Sequence, residues 1–304
     1  MNYKASKISP SFANLDTKNI RLLFYALIIG LIVGLVGALF RITLNYIEDF
    51  RNTIYGNAGT SGIFSWLLPF LFAITAIIIA LYFVKKFAPE ASGSGVHEIE
   101  GALDEVRPMR WKRVIPIKFI SSLLSLGSGM LLGREGPTVQ LGANLGKMVK
   151  DTLRHSDIDT NSVVSAGASA GLASAFNAPF AGIIFVIEEM QEHFKFNFYS
   201  VAALMICAGT ADFVIRVLIS PKPVINMMVY SSPDIWSLWL FILLGIIFSI
   251  VGYFYNKVLI WSLDLFQTKI KLPIILTGII VGLIIALMGV FFPEMIGGGY
   301  DVIT

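Results

Sequence analysis

Three short polar islands interrupt a chain that is otherwise strongly apolar, and each carries residue types suited to handling an anion or a proton. The first is Gly93-Ser94-Gly95, followed by Val96, His97 and Glu98. Glycines free the backbone to aim several amide N–H groups at one point, and a helix start adds the positive end of its dipole. The Ser94 hydroxyl can donate to an anion without contributing charge. The plainer alternative is a Gly-rich turn in which Ser94 serves only as an N-cap.

The second island is Gly133-Arg134-Glu135-Gly136-Pro137. Pro137 suits the first turn of a helix, so the amides around Arg134 and Gly136 again meet a helix N-terminus. Glu135 is an acid placed where an anion is welcome. Ionised, it can fill the anion position; protonated, it can leave. One group would thus be both gate and proton carrier. Mutual neutralisation of Arg134 and Glu135 is disfavoured because neighbours in sequence do not face each other on a helix. The third island is Glu188-Glu189, at the end of the run Asn177–Ile187. Two readings stay open: both acids are solvated, or one faces inward and passes protons.

Other candidates carry less. Gly167-Ala168-Ser169-Ala170-Gly171 matches the G-x-S-x-G pattern of a nucleophilic serine, but no strand precedes it and no His/Asp partners are evident. His155 and His193 sit among polar residues near helix ends and read as surface groups. Cys207 stands alone in an apolar run, giving no disulfide, zinc spacing or redox motif. The expectation is no metal and no cofactor.

The elements that position these islands follow from composition. Of 304 residues, 56% are hydrophobic and 14% charged, and the mean hydropathy is +0.75. A soluble domain carries roughly 25% charged residues, so too little charge is present to coat a soluble surface. A cytosolic enzyme and a disordered chain are both excluded. The net charge of +3 is mild and points to basic loops at a membrane, not to nucleic acid. Apolar runs at 22–40, 62–84, 198–211, 235–255 and 273–293 predict membrane spans; nineteen residues reach about 28 Å. The polar first 20 residues are not a signal peptide. The stretch 114–192 is apolar but broken by Gly, Pro and Ser, the sign of interrupted helices in transporters. Lys85, Lys86 and the basic loop 107–113 place the N-terminus and 85–113 in the cytoplasm, and the loop 48–62 with Arg51 outside. Glycine pairs at 30/34, 142/146, 167/171 and 278/282 predict close helix packing, with a dimer motif as the lesser reading.

Taken together, GSG at 93–95, EIEGAL at 98–103, GREGPTVQLG at 133–142 and FNAPFAGIIFVIEEM at 176–190 resemble the ClC family of chloride channels and proton/chloride exchangers, in order from about residue 20 to 304. The resemblance implies an all-α polytopic membrane fold of two inverted-topology repeats built from tilted and broken helices, working as a homodimer in the membrane lipid of the bacterial inner membrane. It divides the chain into a cytoplasmic segment 1–20, a first repeat 21–220 and the start of a second repeat 221–304. It implies proton-coupled chloride antiport, with chloride as the transported ligand. Ser94 and Gly95, with the amides around Arg134 and Gly136, would bind chloride. Glu135 would be the external gate and Glu189 the internal proton carrier, with Glu188 beside it.

Two departures stand out. The family's first motif reads G-S-G-I-P, whereas Val96 and His97 occupy its last two places here; His97 is expected to tune the response to pH. The chain also stops just after Gly297-Gly298-Gly299-Tyr300, the rough counterpart of 93–95. By resemblance, the segment G-x-F-P and the tyrosine that pairs with the serine lie beyond Thr304, so residues 1–304 alone are expected not to run coupled exchange. The alternatives are a passive voltage-gated-type channel of the same family, a fluoride exporter of that family, an intramembrane protease resting on Ser169, and a non-transporting fragment needing a partner chain.

Overall fold

The computed structural model describes residues 17–59, 62–153, 158–190, 197–222, 224 and 234–299. His155, His193, Tyr300 and Thr304 lie outside the described residues. Within them the chain is helical, with ten α-helices: α1 Thr17–Gly56, α2 Ile63–Phe87, α3 Val96–Leu103, α4 Trp111–Gly127, α5 Glu135–Leu153, α6 Thr160–Phe176, α7 Pro179–Glu189, α8 Phe198–Leu218, α9 Trp239–Asp264 and α10 Ile274–Phe291. Five segments, essentially α1, α2, α8, α9 with its lead-in, and α10, are long and apolar enough to cross a bilayer. They fall on the five apolar runs. The stretch expected to be broken divides into α4 to α7, of 11 to 19 residues each.

One boundary differs. The span beginning at Leu22 does not end at Phe40; α1 runs 40 residues to Gly56, about 60 Å. Residues 48–56 are therefore helix, not loop, and Arg51 turns inward, only 4% exposed. At the other end, the basic loop is shorter than expected, because Trp111, Lys112 and Arg113 already form the first turn of α4.

Small residues set the packing. α6 (TNSVVSAGASAGLASAF) is buried along nearly its whole length and lies at the centre. A Cβ at Gly142 would strike the Gly167 carbonyl, one at Gly146 the Val163 carbonyl, and one at Gly171 the Thr138 carbonyl. The order of these contacts makes α5 and α6 antiparallel, with backbone on backbone. Gly30 and Gly34 fit against Cys207, Thr210, Ala211 and Val214 of α8, and Gly278 and Gly282 against Ile78 and Ile74 of α2. All four glycine pairs are thus used inside the chain. In lipid, such close approach supplies the dispersion that the hydrophobic effect supplies in water.

The turn between α6 and α7 is held by Asn177. It adopts a left-handed conformation, φ 53°, which Asn tolerates better than other non-glycine residues. Its side-chain oxygen accepts from Arg41 of α1 at 2.8 Å, and its amide donates to the carbonyls of Ser220 and Lys222. Arg216 of α8 donates to its backbone carbonyl at 3.1 Å. One residue ties the ends of α6 and α8 to the middle of α1.

The inverted repeat is visible locally. After α2 comes a 3-10 turn, Pro89–Ala91, then glycines 93 and 95 at φ 65° and 89°. After α10 comes a 3-10 turn, Pro293–Met295, then glycines 297 and 299 at φ 84° and 72°. The register holds residue by residue, 204 positions apart from Pro89 to Pro293. The contacts 74 to 282 and 78 to 278 exchange with each other under that shift, so α2 and α10 pack antiparallel about a local two-fold axis.

Candidate functional site

The first glycine turn is built by what surrounds it. Gly95, at φ 89°, takes the N-cap position of α3 in the left-handed region. This corrects the plain N-cap reading of Ser94. The Ser94 oxygen does accept from the Val96 N–H at 3.3 Å, which leaves its O–H free to donate elsewhere. Two buried side chains pin the turn from outside. Lys118 of α4, 2% exposed, donates to the carbonyls of Ala91 at 3.0 Å and Gly93 at 2.7 Å. Gln140 of α5, 1% exposed, donates to the Glu90 carbonyl at 2.7 Å. These bonds hold the turn in place, Lys118 from the wall of the cavity that Ser94 lines.

The second island meets the first. A Cβ at Gly136 would stand 2.8 Å from the Cα, Cβ and carbonyl oxygen of Ser94, so the start of α5 rests directly on Ser94. Thr138 donates through its N–H and hydroxyl to the Arg134 carbonyl, both at 3.1 Å, closing the first turn. The first N–H groups of a helix have no partner within it, and here they face the same region as the Ser94 hydroxyl. The Glu135 carboxylate folds back onto its own loop and lies against Gly133, where a Cβ would collide with it.

These groups line one cavity of about 460 Å³, with Gly93, Ser94, Gly133, Glu135 and Gly136 on one part of the wall and Lys118, Ser122 and Ser125 of α4 on another. Of the residues singled out from sequence, Ser94, Glu135 and Gly136 line this cavity. Arg134 and Gly95 are buried beside the cavity and do not line it; Gly95 lies against the Gln140 side chain instead. Glu188 and Glu189 are not brought to the cavity. Both are exposed at the C-terminal end of α7.

Ser169 is 0% exposed and its hydroxyl donates to the Ala166 carbonyl at 2.9 Å, away from the cavity of Ser94 and Glu135. His97 is exposed, with Nε2 3.6 Å from Glu98. Lys118 and Gln140 escaped the sequence reading. Lys118 had a usable signal: it is a lone charge in the apolar run IPIKFISSLL, and an ionisable residue at membrane depth is functional by default. Gln140 had a weaker one, its place one helical turn beyond Gly136.

Comparison with known proteins agrees with this geometry. The family profile described as "Voltage gated chloride channel" matches residues 76–304. The H(+)/Cl(-) exchange transporter ClcA of Vibrio campbellii is 43% identical over 285 residues, covering 92% of this chain and 61% of that protein. ClcA of Salmonella schwarzengrund is 40% identical over 293 residues, covering 95% and 62%. The chain therefore spans about three fifths of the length of these curated relatives. Among solved structures, a slow cyanobacterial Cl-/H+ antiporter superposes with a TM-score of 0.87 at 34% identity, covering 92% of this chain and 66% of that one. A CLC-type fluoride/proton antiporter, 23% identical, shares the fold with a TM-score of 0.77, covering 94% and 69%. With its spans, inverted glycine turns and buried helix start all accounted for, the chain is an integral membrane protein and belongs to the voltage gated chloride channel family.

Proposed function

We propose that this chain forms the chloride-handling part of a proton-coupled chloride antiporter. The observation that carries the reading is the single cavity in which the Ser94 hydroxyl, the N-terminus of α5 and the Glu135 carboxylate meet. Chloride and the ionised Glu135 carboxylate compete for the same donors, the Ser94 O–H and the amides around Arg134 and Gly136. Two like charges exclude each other at contact distance in a medium of low dielectric. Chloride enters when Glu135 is protonated and swung away, and leaves as Glu135 ionises and returns. This exclusion couples the two fluxes.

Glu189, with Glu188 beside it, takes protons from water at the far end of α7, outside the cavity. The proton and chloride routes then join only at Glu135. The exposed Lys85 and Lys86, together with Arg107, Arg110, Lys112 and Arg113, favour a cytoplasmic location for that end, with the N-terminus on the same side of a bacterial inner membrane. Residues 21–220 form the first repeat and 221–304 begin the second, and two copies associate as in the antiporter branch.

The test is transport by the full-length protein in proteoliposomes under a chloride gradient. Glu135→Gln should abolish uphill proton movement while chloride still moves, and Glu189→Gln should do the same. Uphill proton pumping retained in Glu135→Gln would overturn the gate assignment. The position of Glu189 outside the cavity favours one second reading, passive conduction. A reversal potential indifferent to the proton gradient would support it.

A further inference from the structure

Apart from the cavity of Ser94 and Glu135, and sharing no wall residue with it, a chamber of about 20 Å³ lies between the first 3-10 turn, α3 and α5. Ile99, Met109 and Val114 give it apolar walls. Three side-chain oxygens belong to residues that line it and have no hydrogen-bond partner among the described residues: Glu90 Oε1, Gln140 Oε1 and Asn144 Oδ1. Gln140 and Asn144 are 1% and 2% exposed.

The orientation of both amides is fixed by their other ends. Gln140 Nε2 donates to the Glu90 carbonyl at 2.7 Å, and Asn144 Nδ2 donates to the Gln140 carbonyl at 2.8 Å. A flipped amide would set oxygen against oxygen in each case. Both side-chain oxygens must therefore accept from something else. Buried acceptors in native proteins are paired, with protein or with ordered water. The guest must donate. It must also be small, since roughly 10–15 Å³ is the least that holds one water. Charge argues for a neutral guest: Arg110 Nε stands 3.8 Å from Glu90 Oε1, and Glu98, also on the wall, is held by Arg107.

We propose that this chamber binds one water molecule, which donates to Gln140 and Asn144 beside the Glu90 carboxylate. By satisfying Gln140 Oε1, the water keeps the opposite end of that amide on the Glu90 carbonyl. It thereby positions the Gly93-Ser94-Gly95 turn. The site is independent of the transport reading, because its occupancy can be seen whatever the protein carries.

The experiment is a density map of the full-length wild-type protein at a resolution that shows waters, recorded in sodium and again with thallium replacing sodium. The expected result is a spherical peak within hydrogen-bond reach of Gln140 Oε1 and Asn144 Oδ1, with no anomalous thallium signal. A thallium signal would make the guest a monovalent cation and overturn the proposal. An empty chamber would overturn it equally. In Asn144→Leu, which fills the chamber with methyl groups, the peak should be lost; a peak that survives does not belong to this site. If that variant fails to fold, the wild-type maps decide alone.

Discussion

Replacing Gly136 by Ala tests the contact on which the proposed chloride site depends. Alanine keeps the amide N–H, improves helix propensity and adds a single methyl group. That methyl would stand 2.8 Å from three atoms of Ser94, two of them backbone. Real Cβ atoms do not approach so closely, and backbone cannot rotate out of the way, so the turn at 93–95 must move off α5. Overpacking of this kind costs about 1–3 kcal/mol. If the strain is relieved by separating the two halves of the site, chloride affinity falls by the same free energy, roughly 5- to 150-fold. The assay is calorimetric titration of the full-length protein with chloride, below the unfolding temperature of the variant. Gly209→Ala is the control, since a Cβ there meets nothing within 4 Å. Affinity in Gly136→Ala within twofold of wild type would refute the claim that this contact sets the spacing of the site.

Other substitutions probe different joints. Lys118→Met removes both donations to the Ala91 and Gly93 carbonyls; hydrogen bonds from charged groups contribute about 1.5–3 kcal/mol each, so the same titration should show at least a tenfold loss. Asn177→Ala deletes three side-chain hydrogen bonds and leaves alanine in a left-handed conformation; a loss of roughly 3 kcal/mol in unfolding free energy is expected, and a change below about 0.5 kcal/mol would show that the hub is dispensable. Ser169→Ala gives up a bond within α6 and a longer one to the Leu204 carbonyl of α8, so flux should be unchanged; lost activity would reopen a chemical role. His97→Pro suits the first turn of α3 and removes an imidazole 3.6 Å from Glu98; the pH dependence of flux should shift, and an unaltered profile would end the idea that His97 tunes it.

How much of this was legible in the sequence depends on whether the information was local. The five spans were, because a bilayer demands one thing of about twenty consecutive residues. That Glu135 and Ser94 stand at a break in the apolar sequence was, because a charge or a glycine turn there has few reasons to exist, and both line the one cavity. The end of α1 was not. Residues 48–56 are polar enough to read as loop, and they stay helical because Arg51 and Tyr55 are buried against neighbouring elements. The work of Lys118 and Gln140 was not legible either. Their partners are backbone carbonyls 25 to 50 residues away, and a carbonyl carries no residue-type signal. For Glu188 and Glu189 the residue types suit proton transfer, but their type does not fix where they sit; they are exposed at the end of α7, away from the cavity of Ser94 and Glu135.

The local repeat sharpens what distinguishes one glycine turn from the other. The two turns share their 3-10 turn, the extended residue after it (Ser92, Ile296) and the paired left-handed glycines. Side chains are not shared. The counterpart of Ser94 is Gly298, which has no hydroxyl to donate. The carbonyls of the first turn are tied back by Lys118 and Gln140, whereas the second docks through the Gly297 N–H on the Gly129 carbonyl at 2.9 Å, and the Arg51 guanidinium lies close against Gly297. Gly129 stands at the end of α4, in the segment that leads to Glu135. The second turn therefore buttresses the loop that carries the acid, while the first lines the same cavity as the acid through Ser94. A fold that repeats has been given chemistry that does not. The asymmetry resides in a few side chains, Ser94 and Lys118 above all, and if the proposed anion site is right, exchanging them should abolish it while the shared backbone stays as it is.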